Sequence, residues 1–133
     1  MNKKFMKMGL NQNTSTIFCD IDGTIFKQEK FNELDENKFE LLPGVIEHFN
    51  KWNQLGFIII LVTGRLESTR KLTIKQLENA KIKYHQLIME VGRENRYLIN
   101  NNTKLEPYNN RAFAINVQRD LGFNDENFNK FGL

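Results

Sequence analysis

Ile17-Phe18-Cys19-Asp20-Ile21-Asp22-Gly23-Thr24-Ile25 decides how the chain is read. A run of strand-forming apolar residues delivers two carboxylates, one residue apart, to a glycine turn. Thr16 to Ile21 is predicted as the first strand, apolar on nearly every position, as expected where both faces of a sheet are covered. That pattern places it centrally. An ordinary Asp-Gly hairpin turn would explain a lone Asp-Gly-Thr, whereas the full apolar-Asp-x-Asp-Gly-Thr-apolar pattern is much more specific.

On the C-terminal side, Thr24 to Leu42 mixes Phe26, Phe31 and Phe39 with charged residues, shows no sustained period, and is read as a loop or small flap. Packing in the core is the simpler role for these phenylalanines, with roofing of the site the other. Pro43-Gly44 opens a helix, since proline is tolerated in a first helical turn, and Val45, Phe49, Trp52 and Leu55 fall on one face up to Gly56. Phe57 to Val62 is a second buried strand. Thr63-Gly64-Arg65 breaks it into a helix from about Leu66 to Ala80. Strand, helix and strand joined by short turns make a parallel crossover unit, so the sheet is α/β. Further strands are predicted at Gln86–Met89, Arg96–Ile99 and Arg111–Val117, with a turn at Leu105–Asn110 around Pro107. Residues 120–133 form a tail that the pattern assigns to no element.

The 133 residues suit one domain with its own core, residues 1–14 serving as a flexible leader. Hydrophobic residues make up 40% and charged residues 26%, which describes a globular chain and excludes a disordered tail. The net charge of +3 is spread among acids rather than gathered in a stripe, so nucleic acid draws only weak support. Cys19 is the single cysteine and has no intrachain partner for a disulfide; it reads as a small buried hydrophobe, and a reducing cytoplasm fits. Apolar runs are too short to span a bilayer, and no membrane role is indicated. His48 and His85 lie away from the motifs and take packing or surface roles.

A carboxylate at the C-terminal end of a strand in an open parallel sheet lies where such sheets bind ligands. Asp20 in that place can attack phosphorus and form an aspartyl phosphate, dividing one displacement into two easier ones. Asp22 then serves as acid and base, its proton affinity raised by proximity to Asp20. Gly23 leaves its backbone N–H approachable, and Thr24 closes the turn. A phosphoryl group and two carboxylates need a cation, and oxygen donors favour Mg2+. Thr63 and the N–H groups around Gly64 can hold a phosphate at the positive end of a helix. The plain alternative for Thr63 is a helix N-cap.

Asp20-Ile21-Asp22-Gly23-Thr24, followed after a helix by Leu61-Val62-Thr63-Gly64-Arg65, resembles the first two motifs of the haloacid dehalogenase (HAD) superfamily. Most of its members are magnesium-dependent phosphohydrolases. The resemblance implies a Rossmann-like three-layer sandwich with a mainly parallel sheet. It carries over Asp20 as nucleophile, Asp22 as acid and base, Thr63 as phosphate binder, and the Asp20 carboxylate and Asp22 carbonyl as metal ligands. The third motif is a basic residue; Arg93, Arg96 and Lys104 are available, and Arg93 is preferred for its distance from the next strand. The fourth normally ends a strand with aspartates that complete the metal site, whereas this chain has Asn100-Asn101-Asn102, neutral donors that should lower magnesium affinity. The absence of a separate cap domain implies an open site, suited to a large substrate or closed by another subunit of a homo-oligomer. Two rivals to a phosphatase of phosphorylated small molecules or macromolecules stay in view. One is a non-catalytic phosphate-binding module, the other a nucleic-acid end-processing phosphatase.

Overall fold

The computed structural model describes residues 14–133. The leader expected at residues 1–14 therefore lies, but for its last residue, outside the described residues. Three parallel strands form the sheet: β1 (Thr16–Cys19), β2 (Ile58–Val62) and β3 (Gln86–Ile88), in spatial order β1-β2-β3. Thr16 pairs with Ile58 and Cys19 with Leu61, while Ile60 pairs with Gln86 and Val62 with Ile88. All three strands thus end at one edge, and the residues that follow them, beginning with Asp20, Thr63 and Met89, share it. Ile59 and Leu61 of β2 are fully buried, with less buried residues between them, as the two-residue period of a strand requires.

Helix α1 (Val45–Gln54) follows the apolar stripe read from the sequence, with one correction. Val45, His48, Phe49 and Trp52 are the buried positions, whereas Leu55, one residue past the helix, is exposed. Gly44 caps its start in the left-handed region at φ 78°, a conformation that only glycine adopts without cost. A 3-10 turn at Glu67–Thr69 leads into α2 (Arg70–Asn79), close to the predicted span. Between β1 and α1 the chain is a flap, as predicted, with a 3-10 turn at Phe31–Glu33 and isolated bridges from Phe26 to Leu41 and from Asp35 to Lys38. Phe26 is fully buried and tilts against Phe39 with ring centroids 5.0 Å apart, so these two rings belong to the core.

Three expectations are corrected. Among the described residues β1 is an edge strand and β2 the middle one, so Phe18 is half exposed. The predicted strands at 96–99 and 111–117 do not form among the described residues. Their apolar content is real, but Tyr97, Leu98 and Ile99 face solvent, and local side-chain bonds take the place of a ladder. Thr103 and Asn109 bond each other through Thr103 N–H to Asn109 O and Asn109 N–H to Thr103 Oγ1, and Arg111 donates to both the carbonyl and the side-chain oxygen of Asn101. Ile115 and Val117 still pack against the core from outside the sheet.

The tail has more order than the sequence reading assigns. Asp125–Asn129 form α3, capped by the Asn124 side chain, which accepts from Asn127 N–H at 3.1 Å. Phe123 and Phe128 lie 4.8 Å apart and both pack on Trp52. His48 joins the same cluster, its ring 4.6 Å from Phe128 and its Nδ1 2.7 Å from Gly44 O. Among the described residues no helix is long and apolar enough to cross a membrane.

Candidate active site

Beyond Cys19 the chain leaves β1 and turns at once. Ile21 O receives the N–H groups of Thr24, Ile25 and Phe26, and Gly23 at φ 81° donates its own N–H to Phe26 O at 2.6 Å. The approachable N–H expected at Gly23 is therefore engaged within the turn. Ile21 and Ile25 anchor the loop in the core, and Asp20, Asp22 and Thr24 project around it. Asp20 is the accessible carboxylate, 37% exposed at the strand's end. Thr24 Oγ1 donates to its Oδ2 at 3.1 Å, and Arg96 Nη1 to its Oδ1 at 3.1 Å.

Asp22 is placed differently. Its side chain is only 8% exposed, and both of its oxygens are held by Arg65, through Nε at 2.9 Å and Nη2 at 2.8 Å. The charge in direct contact with Asp22 is thus a guanidinium, in the two-pronged geometry that arginine alone provides. Arg65 is itself fully buried and spends Nη1 on Thr73 Oγ1 and Gln76 Oε1 of α2. Its backbone N–H donates to Thr63 Oγ1 at 3.1 Å, and its carbonyl accepts from Glu90 N–H. Arg65 stands within the second motif, whose resemblance assigns it no role. The signal for one is its place three residues past a buried strand, where a charged side chain drawn inward must find a partner.

Thr63 is buried at the end of β2 and bonded into the sheet, its N–H to Ile88 O and its carbonyl to Val91 N–H. It is not a helix cap, because the 3-10 turn and α2 begin four and seven residues later. The first N–H of that turn, on Glu67, is taken by the Glu90 carboxylate at 2.8 Å. Arg93 lies over Gly64, so close that a Cβ there would meet its Cγ at 3.0 Å. Two arginines therefore flank the strand-end edge: Arg93 at the Thr63-Gly64 turn and Arg96 on Asp20. Asn100 and Asn101 are exposed, and the Asn101 oxygens are bonded to Arg111. Among the described residues no hydrogen bond joins either asparagine to Asp20 or Asp22. Lys104 is exposed.

Among the described residues no group of three or more His, Cys, Asp or Glu side chains could hold a metal ion. Magnesium asks for less than such a cage, since it keeps several waters and takes one or two carboxylates beside substrate phosphate. The hard, exposed Asp20 carboxylate fits that lesser demand. Cys19, one residue before it, contributes no thiolate, because burial pushes its thiol far above the ordinary range and the Asp20 charge adds to the shift.

A model for the HAD superfamily, subfamily IIIB (acid phosphatase), matches residues 2–109. The chain belongs to that family. This HAD-superfamily chain also shares its fold with solved structures. A chain of the Pnkp1/Rnl/Hen1 complex aligns at a TM-score of 0.53 and 24% identity, over 65% of this chain and 32% of that one. A second structure, of the Pnkp1/Rnl/Hen1 RNA repair complex, aligns at 0.52 and 24%, over 65% and 29%. A structural-genomics target from Vibrio cholerae aligns at 0.51 and 19%, over 65% of this chain and 80% of that one. The chain spans about a third of the length of the first two, so the likeness is one of fold. A search of curated proteins found no match. The Rossmann-like α/β reading holds, and the family is one of phosphatases.

Proposed function

We propose that this HAD-superfamily chain hydrolyses phosphomonoesters with Asp20 as nucleophile. The observation that carries the reading is the placement of Asp20, an exposed carboxylate at a strand's end between the Thr24 hydroxyl and the Arg96 guanidinium. An Asp20 oxygen attacks phosphorus, the P–O ester bond breaks, and the leaving oxygen takes a proton from Asp22, which enters this step as the neutral acid while its oxygens still accept from Arg65. Water then attacks the phosphorus of the aspartyl phosphate, Asp22 receives its proton, and inorganic phosphate departs with Asp20 restored. Thr63 and Gly64 hold phosphoryl oxygens, and Arg96 and Arg93 supply positive charge beside them. Arg96 is the better match for the third motif because it already touches the nucleophile. Mg2+ held by the Asp20 carboxylate and the Asp22 carbonyl, with Asn100 or Asn101 as a neutral donor, would offset the charge gathered by phosphate and carboxylates.

Purified protein assayed on a broad phosphomonoester panel is expected to release phosphate with millimolar Mg2+ and to lose that activity in EDTA. Phosphate binding without release on any ester would support a non-catalytic module instead. Rescue of turnover by Asn101→Asp or Asn100→Asp would mark a weakened enzyme. A second reading, a phosphatase of nucleic-acid ends, draws support from Arg93 and Arg96 at the strand-end edge. This second reading predicts salt-sensitive binding to 3'-phosphorylated oligonucleotides, and indifference to nucleic acid removes it.

A further inference from the structure

Arg65 connects several parts of the site. Its guanidinium spends four N–H donors on Asp22, Thr73 and Gln76, and its backbone is tied to Thr63 and Glu90. Gln76 carries the connection outward: fully buried, it accepts from Arg65 through Oε1 at 2.8 Å and donates through Nε2 to Asp35 O of the flap at 2.7 Å. Asn79, one turn on along α2, donates to Glu36 O. Flap, helix, guanidinium and carboxylate therefore form one hydrogen-bonded chain, Asp35 O to Gln76 to Arg65 to Asp22.

The structure assigns Arg65 as the positioning residue of Asp22, with Gln76 as the joint that sets Arg65 against the flap. This rests on the reading of Asp22 as acid and base. A carboxyl group that must give a proton to a leaving oxygen and, as the carboxylate, later accept one from water needs one fixed place relative to phosphorus. Asp22 stands on a short turn whose backbone does not fix its side-chain torsion, and the two-pronged grip of Arg65 does. Thr73 and Gln76 hold the guanidinium plane from its far side. A lysine in place of Arg65 keeps the charge but cannot reproduce the planar fork.

The readout is the dependence on leaving group, because proton donation matters for a poor leaving group and little for a good one. Values of kcat/KM, which follow formation of the aspartyl phosphate, are measured for an alkyl phosphate and for p-nitrophenyl phosphate, with melting curves to check folding. Arg65→Lys is expected to lose roughly 100-fold on the alkyl ester, within the range that a positioned acid contributes, and less than about tenfold on p-nitrophenyl phosphate. Gln76→Met, which leaves the Arg65–Asp22 pair in place, is expected to show the same bias at smaller size. If Arg65→Lys does not fold, the bias in Gln76→Met decides alone. Equal loss on both esters, or loss on neither, overturns the positioning role while the phosphatase reading stands. A wild-type protein silent on both esters overturns that reading and the positioning role together.

Discussion

Asp22 and Arg65 are a buried ion pair whose members cannot be removed singly without cost. Asp22→Ala leaves a guanidinium enclosed without its anion, and denaturant titration is expected to show a loss of about 3–5 kcal/mol. The double variant Asp22→Leu with Arg65→Met, which removes both charges, should be less damaged than the sum of its parts; strict additivity would contradict the pairing. Beside this pair, Cys19 offers a simpler test. Its thiol is buried and its thiolate strongly disfavoured, and the thiolate is the form that reacts. A disulfide reagent should label native protein only as fast as it unfolds and label denatured protein at once. Immediate labelling of the native state would show Cys19 to be exposed.

The glycines at the two ends of α1 separate strain from crowding. Gly44 and Gly56 have almost the same backbone, φ 78° and 76°, but a Cβ on Gly44 would lie 2.2 Å from Phe123 O, and one on Gly56 would meet nothing within 4 Å. Gly56→Ala should therefore cost about 1–2 kcal/mol, the conformational term alone. Gly44→Ala should cost clearly more, because Phe123 N–H is bonded to Pro43 O and the two segments cannot part without breaking that bond. Equal losses would mean that the C-terminal segment does not dock at the start of α1. Elements were legible in the sequence where an apolar period and a punctuating residue agree, as at Thr16–Cys19, Pro43–Gly56 and Ile58–Val62. They were not legible at 96–99 and 111–117, where apolar runs satisfy strand propensity and nothing in the local pattern says whether a neighbouring strand will accept them. The candidate site divides in the same way. Asp20 and Thr63 could be read from their positions at strand ends, whereas the grip of Arg65 on Asp22 spans 43 residues and appears only when β1 and β2 lie side by side.

At the scale of the molecule, the core is closed by the C-terminal segment as much as by the sheet. Phe123 and Phe128 cover Trp52 and His48, so the last residues complete the face of α1 that the first half of the chain leaves open. Phe128→Ala should lower stability by about 3–5 kcal/mol and shift Trp52 emission to longer wavelength as water reaches the indole. Unchanged emission would show that α3 does not cover it. The same packing brings Arg119 against Gly23, with a Cβ on that glycine reaching 3.2 Å from Arg119 Cγ, so the closing segment also borders the turn that follows Asp20. On the proposed mechanism, Asp20 at this turn becomes covalently phosphorylated. Acid quenching during turnover of a phosphomonoester, borohydride reduction and peptide mapping test it most directly. Reduction should convert residue 20 to homoserine in the wild type, and Asp20→Asn should show neither the product nor turnover. Turnover without modification at residue 20, or full activity in Asp20→Asn, would contradict it.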